Sequence, residues 1–265
     1  MHVERIEDAP VHRLRFLNAG RGGRVESQIL AIQRGRASGL PTDLAALVLT
    51  GDLQGVVRSP RGDAEQLLGV AVAEVLTELA AEGTLPPADR TGVILAGDLY
   101  SVPGARKRGG HGDVTDVWSA FADRFAWVAG VLGNHDDLAG DAGAALQARP
   151  NLHVLDGSAV ERGGVRLAGV SYVAGDPGKP GRRDLADQLA LIDLAIDEGL
   201  DVLVLHEGPA GDADQLGHAE IRARIERGRV PLTVCGHVHW PRPLATHARG
   251  QIVNVDSRVI VLVPG

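Results

Sequence analysis

The sequence contains few aromatic residues, a single cysteine and no long apolar run. Aromatic residues make up 3% of the 265 positions, so a core has to be built mainly from Leu, Val, Ile and Ala. The single cysteine, Cys235, excludes a disulfide within the chain. No apolar run reaches the roughly 18 residues of a membrane span, and the first residues, MHVERIEDAP, are charged and lack the apolar stretch of a secretory signal. We therefore expect a cytoplasmic globular protein that has no membrane partner.

The chain also lacks an excess of positive charge. The chain has 27 Lys and Arg residues and 34 Asp and Glu residues, which gives a formal net charge of −7. Because no overall field attracts a polyanion, a nucleic-acid partner is not favoured, although a local basic patch is left open.

The length and the 44% hydrophobic content allow a substantial core. We expect one domain over residues 1–265, in which residues 1–43 form a βα unit at the sheet edge; the oligomeric state is not predicted.

Apolar runs of strand length alternate with stretches of helical periodicity. Helices are predicted at 25–36, 64–81, 114–125, 184–198 and 212–226. Strands are predicted at 44–49, 92–96, 127–132, 165–170, 202–205, 232–235 and 252–262. This order predicts an α/β fold with a sheet that is largely parallel and has helices on its faces.

Polar side chains follow five of the predicted strands at the point where each strand ends. Two strands run into Gly-Asp-Leu, and three others run into GNHDD, HEGP and GHVHW. The carboxyl edge of such a sheet is where α/β proteins place ligands. A mixture of oxygen and imidazole donors suits Mn²⁺, Fe²⁺ or Zn²⁺ better than Mg²⁺ or Ca²⁺. The donors, sufficient for two ions, are Asp52, Asp98, Asn134, His135, His206, His237 and His239.

This ordered set resembles the calcineurin-like metallophosphoesterase family. The family pattern is Asp-x-His, Gly-Asp, Gly-Asn-His-Asp/Glu, a lone His and Gly-His-x-His, and the chain has GDLQ at 51–54, GD at 97–98, GNHD at 133–136, His206 and GHVH at 236–239. The later IVNVDS at 252–257 is similar to the tail of that family. The resemblance implies a four-layer αββα sandwich with two central mixed sheets. It also implies an enzyme that hydrolyses a phosphomonoester or a phosphodiester.

The resemblance further implies a role for each of these residues. One ion would be bound by Asp52, Asp98 and His239, and the other by Asp98, Asn134, His206 and His237, so that Asp98 bridges the pair. Two such ions activate a bridging hydroxide for in-line attack on phosphorus. His135 would be the general acid or phosphate-binding imidazole, and Asp136 completes the catalytic pair. We expect manganese, with iron or zinc as alternatives, and unequal occupancy of the two sites.

The first motif departs from the family pattern. Gln54 stands where the family has the histidine of Asp-x-His, and an amide oxygen is a poorer donor to a transition metal than imidazole. A rival alignment places an erased first motif in LRFLNAGRGG at 14–23, which leaves GDLQ as an ordinary second strand. We favour GDLQ, because one long helix and one strand separate Asp52 from Asp98.

Two Gly/Pro loops carry basic residues that suit phosphate recognition. The candidates for substrate binding are Arg106, Arg108, His111 and Arg182. The predicted partner is a small phosphorylated substrate, with nucleotides among the candidates. The alternative function is a binding or scaffold module that keeps the fold and has lost turnover; the presence of His135 favours the enzyme, since binding needs it less than chemistry does.

Overall fold

The computed structural model describes residues 1–58, 64–138, 140–196 and 199–265. Its helices are α1 (Leu68–Ala81), α2 (Thr115–Ala122), α3 (Gly140–Gln147), α4 (Leu185–Ala195) and α5 (Ala219–Arg227). Its strands are β1 (His2–Ile6), β2 (His12–Ala19), β3 (Val25–Ser38), β4 (Ala46–Gly51), β5 (Val56–Arg58), β6 (Glu65–Leu67), β7 (Thr91–Leu95), β8 (Gly112–Asp113), β9 (Trp127–Gly130), β10 (Asp136–Asp137), β11 (Leu152–Val154), β12 (Ser158–Arg162), β13 (Val165–Val170), β14 (Val173–Ala174), β15 (Arg182–Arg183), β16 (Val202–Glu207), β17 (Leu232–Gly236), β18 (Leu244–His247), β19 (Gly250–Asn254) and β20 (Arg258–Pro264).

Most strands belong to two mixed sheets. The first is ten-stranded, with the order β11-β9-β7-β4-β20-β3-β2-β5-β6 and β1 paired to β3. The second is six-stranded, with the order β12-β13-β16-β17-β19-β18. Both contain parallel and antiparallel pairs: β4 is parallel to β7 and antiparallel to β20, and β19 is parallel to β17 and antiparallel to β18. The predicted α/β class with two mixed sheets is confirmed.

Alternate residues of the central strands enter different apolar clusters. In β4, Ala46 and Val48 face helices α1 and α2, whereas Leu47 and Leu49 face the second sheet. A side-chain period of two along a strand is the cause. A third cluster lies between the second sheet and helices α4 and α5. Because β4 is buried on both faces, its sequence ALVLTG is a continuous apolar run rather than an alternating one.

Four of the five predicted helices are present with shifted ends. The 64–81 prediction begins later, at Leu68, and the 114–125 prediction is α2. The 184–198 prediction is α4, although position 198 lies outside the described residues, and the 212–226 prediction is reduced to α5. Helix α3 was not predicted, since GDAGAALQ carries too few apolar residues to show a helical period. No helix in the described part of the chain is long and apolar enough to cross a membrane.

The predicted helix at 25–36 is wrong: these residues belong to strand β3. β2 pairs with residues 25–32 of this strand, and β20 and β1 pair with residues 32–37 and 35–38. Leu30 and Ile32 are buried one strand period apart, whereas Ile29, next to Leu30, is exposed. Residues 1–43 are therefore an antiparallel β unit rather than a βα unit. The rival first motif at 14–23 is likewise a strand and turn of a hairpin, with no helix after it.

The predicted strand at 252–262 is two strands in different sheets. β19 ends at Asn254 in the second sheet, and β20 begins at Arg258 in the first. Residues 255–257 cross between the sheets, and Asp256 forms a bridge with Gly51 at the end of β4. Val255 donates its N–H to the carbonyl of Cys235 in β17. Through Val255 and Asp256, the crossing segment thus holds the carboxyl ends of β4 and β17 close together.

Candidate metal centre

The ends of the two sheets bring three of the predicted ligands together. Donor atoms of Asp98, His206 and His237 all lie within 4.8 Å of one another. The His206 Nε2 is 3.4 Å from Asp98 Oδ1 and 3.3 Å from Asn134 Oδ1. Two ligands that each lie about 2.1 Å from one ion are separated by roughly 3.0–3.4 Å in tetrahedral or octahedral geometry. Asp98, Asn134 and His206 therefore have the spacing of ligands of one transition-metal ion, and His237 lies within 4.8 Å of Asp98 and His206.

The orientation of His206 also suits a ligand. Its Nδ1–H donates to the carbonyl of Ala96 at 2.8 Å, which leaves Nε2 facing Asp98 and Asn134. Metal-binding histidines commonly donate their second ring nitrogen in this way, since the bond fixes the tautomer and the ring plane. Ala96 follows β7 of the first sheet and His206 lies in β16 of the second, so the same bond joins the two sheets at the site.

The two carboxylate oxygens of Asp98 face different groups. Oδ1 accepts the backbone N–H of His135 at 3.0 Å and lies toward His206. Oδ2 accepts from Gln54 Nε2 at 3.3 Å and is 4.0 Å from His135 Nε2. Oδ1 thus lies toward the predicted ligand His206, whereas Oδ2 lies toward Gln54 of the first motif.

Three of the predicted ligands have a backbone conformation that non-glycine residues rarely adopt. Asp52, Asp98 and His237 have φ values of 50°, 54° and 69°. Each comes directly after a glycine at the end of a strand, and the left-handed conformation turns its side chain out of the sheet. Strained backbone conformations persist only where the surrounding structure imposes them, and they are common at functional sites.

Two glycines of the motifs give the carboxylates room. A Cβ on Gly133 would lie 2.0 Å from Asp98 Oδ1, and a Cβ on Gly236 would lie 2.2 Å from Asp52 Oδ2. Any side chain at either position would displace a predicted ligand. The glycines in GNHD and GHVH are therefore required by the close approach of the carboxylates.

The charges at the site are strongly coupled. Burial lowers the pKa of His206, but the carboxylates of Asp98 and Asp52 raise it more, to about 10. Burial likewise raises the pKa of Asp98, but His206 and His135 bring it down to about 2. Burial raises the pKa of Asp52 well above its usual range, and burial together with the His206 charge lowers the pKa of His237 to about 4. A divalent cation would replace the proton on His206, since a ligating imidazole has to be neutral.

The donors of the other predicted ion are less closely assembled. The Asp52 carboxylate accepts the His237 backbone N–H at 2.9 Å, and Gln54 contacts Asp98 through its amide nitrogen. The imidazole of His239 is 65% exposed and is not part of the three-residue cluster. Gln54 is thus next to the metal donors, as the GDLQ alignment requires.

Asp136 lies beneath the site rather than on its surface. Its side chain is 1% exposed. Oδ1 accepts the N–H groups of Leu99 and Tyr100, and Oδ2 accepts the N–H of Gly133. The residue joins the loop after β7 to the loop after β9, which carry the predicted ligands Asp98 and Asn134.

Three of the four predicted substrate-binding residues lie near the candidate metal centre, and the fourth lies near Glu65. Arg108 lines the cleft over the site, and His111 Nδ1 is 3.4 Å from the backbone carbonyl oxygen of Asn134. Arg182 is close enough to His237 to lower the pKa of that imidazole. Arg106 instead acts on Glu65 and does not line the cleft.

The segment NVDSR at 254–258 supports the GHVHW loop, a role that the sequence alone did not indicate. Asn254 Nδ2 donates to the Val238 carbonyl at 2.8 Å, and Asp256 Oδ2 accepts from His239 Nδ1 at 3.0 Å. Arg258 donates to the Trp240 carbonyl. The IVNVDS pattern marks this segment, but only the structure shows that its alternate residues hold three successive residues of the ligand loop. Asp256 fixes the Nδ1–H tautomer of His239 and leaves Nε2 available.

The comparisons with known proteins agree with this geometry. The profile of the calcineurin-like phosphoesterase family matches residues 46–241, which is well over half of the chain. The chain belongs to this family. Membership indicates metal-dependent hydrolysis of phosphorylated substrates. A search of curated protein sequences finds no match.

A solved structure shows that this phosphoesterase shares its fold with a distant protein. TT1561 of Thermus thermophilus superimposes with a TM-score of 0.54 at 15% identity, over 81% of this chain and 90% of the other. AQ665 from Aquifex aeolicus, a protein of unknown function, has a TM-score of 0.35 at 15% identity, over 82% of this chain and 95% of the other. The hairpin formed by β2 and β3, and the NVDSR segment, both lie outside the residues that match the family profile.

Proposed function

We propose that this phosphoesterase uses two divalent ions to hydrolyse a phosphomonoester or a phosphodiester. The observation that carries the proposal is the placement of Asp98, whose Oδ1 lies toward the predicted ligand His206 and whose Oδ2 lies toward Gln54 of the first motif. One ion would be held by Asp98, Asn134, His206 and His237. The other would be held by Asp52, Asp98 and His239, with Gln54 beside them.

The two ions are expected to bind with different affinities. In the set around His206, Asp98, Asn134 and His206 are buried and the donors are already close together, so little reorganisation accompanies binding. The set around Asp52 includes an exposed imidazole and an amide in place of an imidazole. We therefore assign the tighter site to Asp98, Asn134, His206 and His237, and we favour manganese, with iron or zinc as alternatives.

The residues around the ions have separate tasks. Divalent ions bound there supply the Lewis acidity that activates water and neutralises the charge of the phosphate. His135, whose side chain is 23% exposed, is placed to give a proton to the departing alkoxide. The guanidinium groups of Arg108 and Arg182 suit the phosphate oxygens, to which they can donate bidentate hydrogen bonds.

Metal titration paired with hydrolysis tests this proposal. Protein freed of metal by a chelator should hydrolyse neither a generic phosphomonoester nor a generic phosphodiester, and Mn²⁺ should restore activity toward at least one of them. Titration followed by electron paramagnetic resonance should reveal a tight and a weaker Mn²⁺ site. Protein that binds Mn²⁺ and hydrolyses neither ester would favour the scaffold alternative. Protein that binds no transition metal would overturn the site itself.

Substitutions of Gln54 are expected to change the weaker site only. Gln54→His supplies an imidazole beside Asp98, so the weaker Mn²⁺ affinity and the activity at limiting Mn²⁺ should rise. Gln54→Ala should raise the Mn²⁺ concentration for half-activity about tenfold, which corresponds to about 1.4 kcal/mol. Gln147→Ala on α3 is the matched control, because that side chain contacts its own helix. If neither Gln54 variant alters Mn²⁺ affinity, Gln54 does not act at this site.

We further infer that the chain is one domain built as a four-layer αββα sandwich. The support is the sequence of apolar clusters, which lie between the first helices and the first sheet, between the two sheets, and between the second sheet and the last helices. Each sheet thus has a covered outer face and shares its inner face with the other sheet.

A further inference from the structure

A hairpin that precedes the family-matched residues forms one wall of the catalytic cleft. The cleft has a volume of about 440 Å³, and Asn18 of β2 and Gln28 of β3 line it together with Asp52, Asp98 and His135. β2 and β3 pair over eight residues that include Asn18 and Gln28, β2 also pairs with β5, and β3 continues into the middle of the first sheet, where it pairs with β20 from Ile32 onward. The wall is therefore fixed in the sheet rather than carried by a free loop.

The hydrogen bonds within the hairpin leave specific groups available. Asn18 Oδ1 accepts the N–H of Ala19 at 2.7 Å, and Asn18 Nδ2 donates to Gln28 Oε1 at 3.4 Å. Each amide oxygen thus accepts one hydrogen bond, and Gln28 turns its oxygen rather than its Nε2 group to Asn18. In the described part of the chain, no acceptor is found for that Nε2 group. Because Gln28 lines the cleft, these N–H groups are available to a ligand there.

The other side chains of the cleft have the same polar character. Gln54 uses its nitrogen on Asp98, which leaves its oxygen as an acceptor, and Arg108 and Ser257 add further polar groups. Among the described residues that line the cleft, none is aliphatic and none is Phe, Tyr or Trp. Sites for apolar or stacked ligands are instead lined mainly by such side chains. An aryl or alkyl group would find no apolar surface here, whereas hydroxyl groups would find donors and acceptors.

We propose that the Asn18–Gln28 pair is a subsite for a hydroxyl-rich alcohol, such as a sugar or polyol, which forms the non-phosphate half of the substrate. The inference rests on the proposed hydrolysis, because the alcohol is the leaving group of the ester whose phosphate lies over the metals. Gln28 Nε2 donates to a hydroxyl oxygen, and Asn18 orients Gln28 by donating to its carbonyl oxygen. Neutral amides serve this purpose independently of pH.

A matched pair of non-hydrolysable ligands tests the subsite. Butylphosphonate and 3,4-dihydroxybutylphosphonate have the same charge and chain length and differ only in two hydroxyl groups. With Mn²⁺-loaded protein, calorimetry should show that the diol binds about two- to tenfold more tightly, as expected for neutral hydrogen bonds. Gln28→Ala should remove this preference and leave the dissociation constant of butylphosphonate unchanged. Asn18→Ala should reduce the preference, since Gln28 is then no longer oriented.

Gln33→Ala is the matched control, because this glutamine is on the same strand but donates to the carbonyl of Glu7. The Gln33→Ala variant should prefer the diol over butylphosphonate by the same factor as the unsubstituted protein. Equal binding of the two phosphonates, a preference that survives Gln28→Ala, or failure to bind either ligand would overturn the subsite. A preference that depends on Gln28, in protein that hydrolyses no phosphoester with Mn²⁺, would support the subsite and refute the proposed hydrolysis.

Discussion

Replacement of Asp136 by alanine is expected to lower the free energy of unfolding by about 3 kcal/mol. The substitution leaves the N–H groups of Leu99, Tyr100 and Gly133 without their acceptor. Each unpaired buried N–H costs about 1–3 kcal/mol. Removal of the carboxylate offsets part of this cost, because its negative charge is unfavourable at this position: burial and the nearby Asp98 charge raise the pKa of Asp136 to about 6.

Urea denaturation in the presence of a chelator measures this effect without a contribution from bound metal. Asp137→Ala is the matched control, since it removes a carboxylate from the next position, where the side chain is only half-buried; its stability should change by less than about 0.5 kcal/mol. Asp136→Asn should also destabilise, because an amide has one acceptor oxygen and its NH₂ group would face a backbone N–H. If Asp136→Ala unfolds like the parent protein but loses turnover, Asp136 acts in the chemistry and not in positioning.

The ligand positions are predictable from the sequence because their signals are local. An apolar strand that ends in Gly-Asp or Gly-Asn-His places a polar side chain at the carboxyl edge of a sheet, and the structure does bring Asp98, His206 and His237 together. Asp136 shows the limit of this inference. Its residue type is the same as that of a catalytic carboxylate, and only its burial and its three backbone contacts indicate a positioning role.

The features that were not predicted depend on contacts between distant parts of the chain. Val25, Ile29 and Ile32 are spaced as in an amphipathic helix, but pairing with β2 and with the C-terminal β20 makes the segment a strand. The same long-range pairing carries Asn18 and Gln28 to the cleft. The contact of Asp256 with His239 also depends on distant parts of the chain. His239 precedes Asp256 by 17 residues, and nothing around Asp256 in the sequence indicates this partner.

A variant with alanine at His135 is expected to fold and bind metal like the parent protein while turning over about 10²–10⁴-fold more slowly. The backbone N–H of His135, not its imidazole, donates to Asp98 Oδ1. Alanine keeps this bond, so the bridging carboxylate stays in place. The imidazole itself lies 4.0 Å from Asp98 Oδ2 and is partly open to the cleft, where it can meet a leaving group.

The leaving group distinguishes proton donation from a general loss of binding. An alkyl phosphate needs a proton on the departing oxygen, whereas a nitrophenyl phosphate scarcely does, so the rate loss in His135→Ala should be large for the first and small for the second. His12→Ala, at the start of β2, is the control for a histidine outside the cleft and should match the parent on both substrates. An unchanged rate on the alkyl ester would remove His135 from the mechanism. An equal loss on both esters would instead make it a phosphate-binding group, since binding to the phosphate does not depend on the basicity of the alcohol.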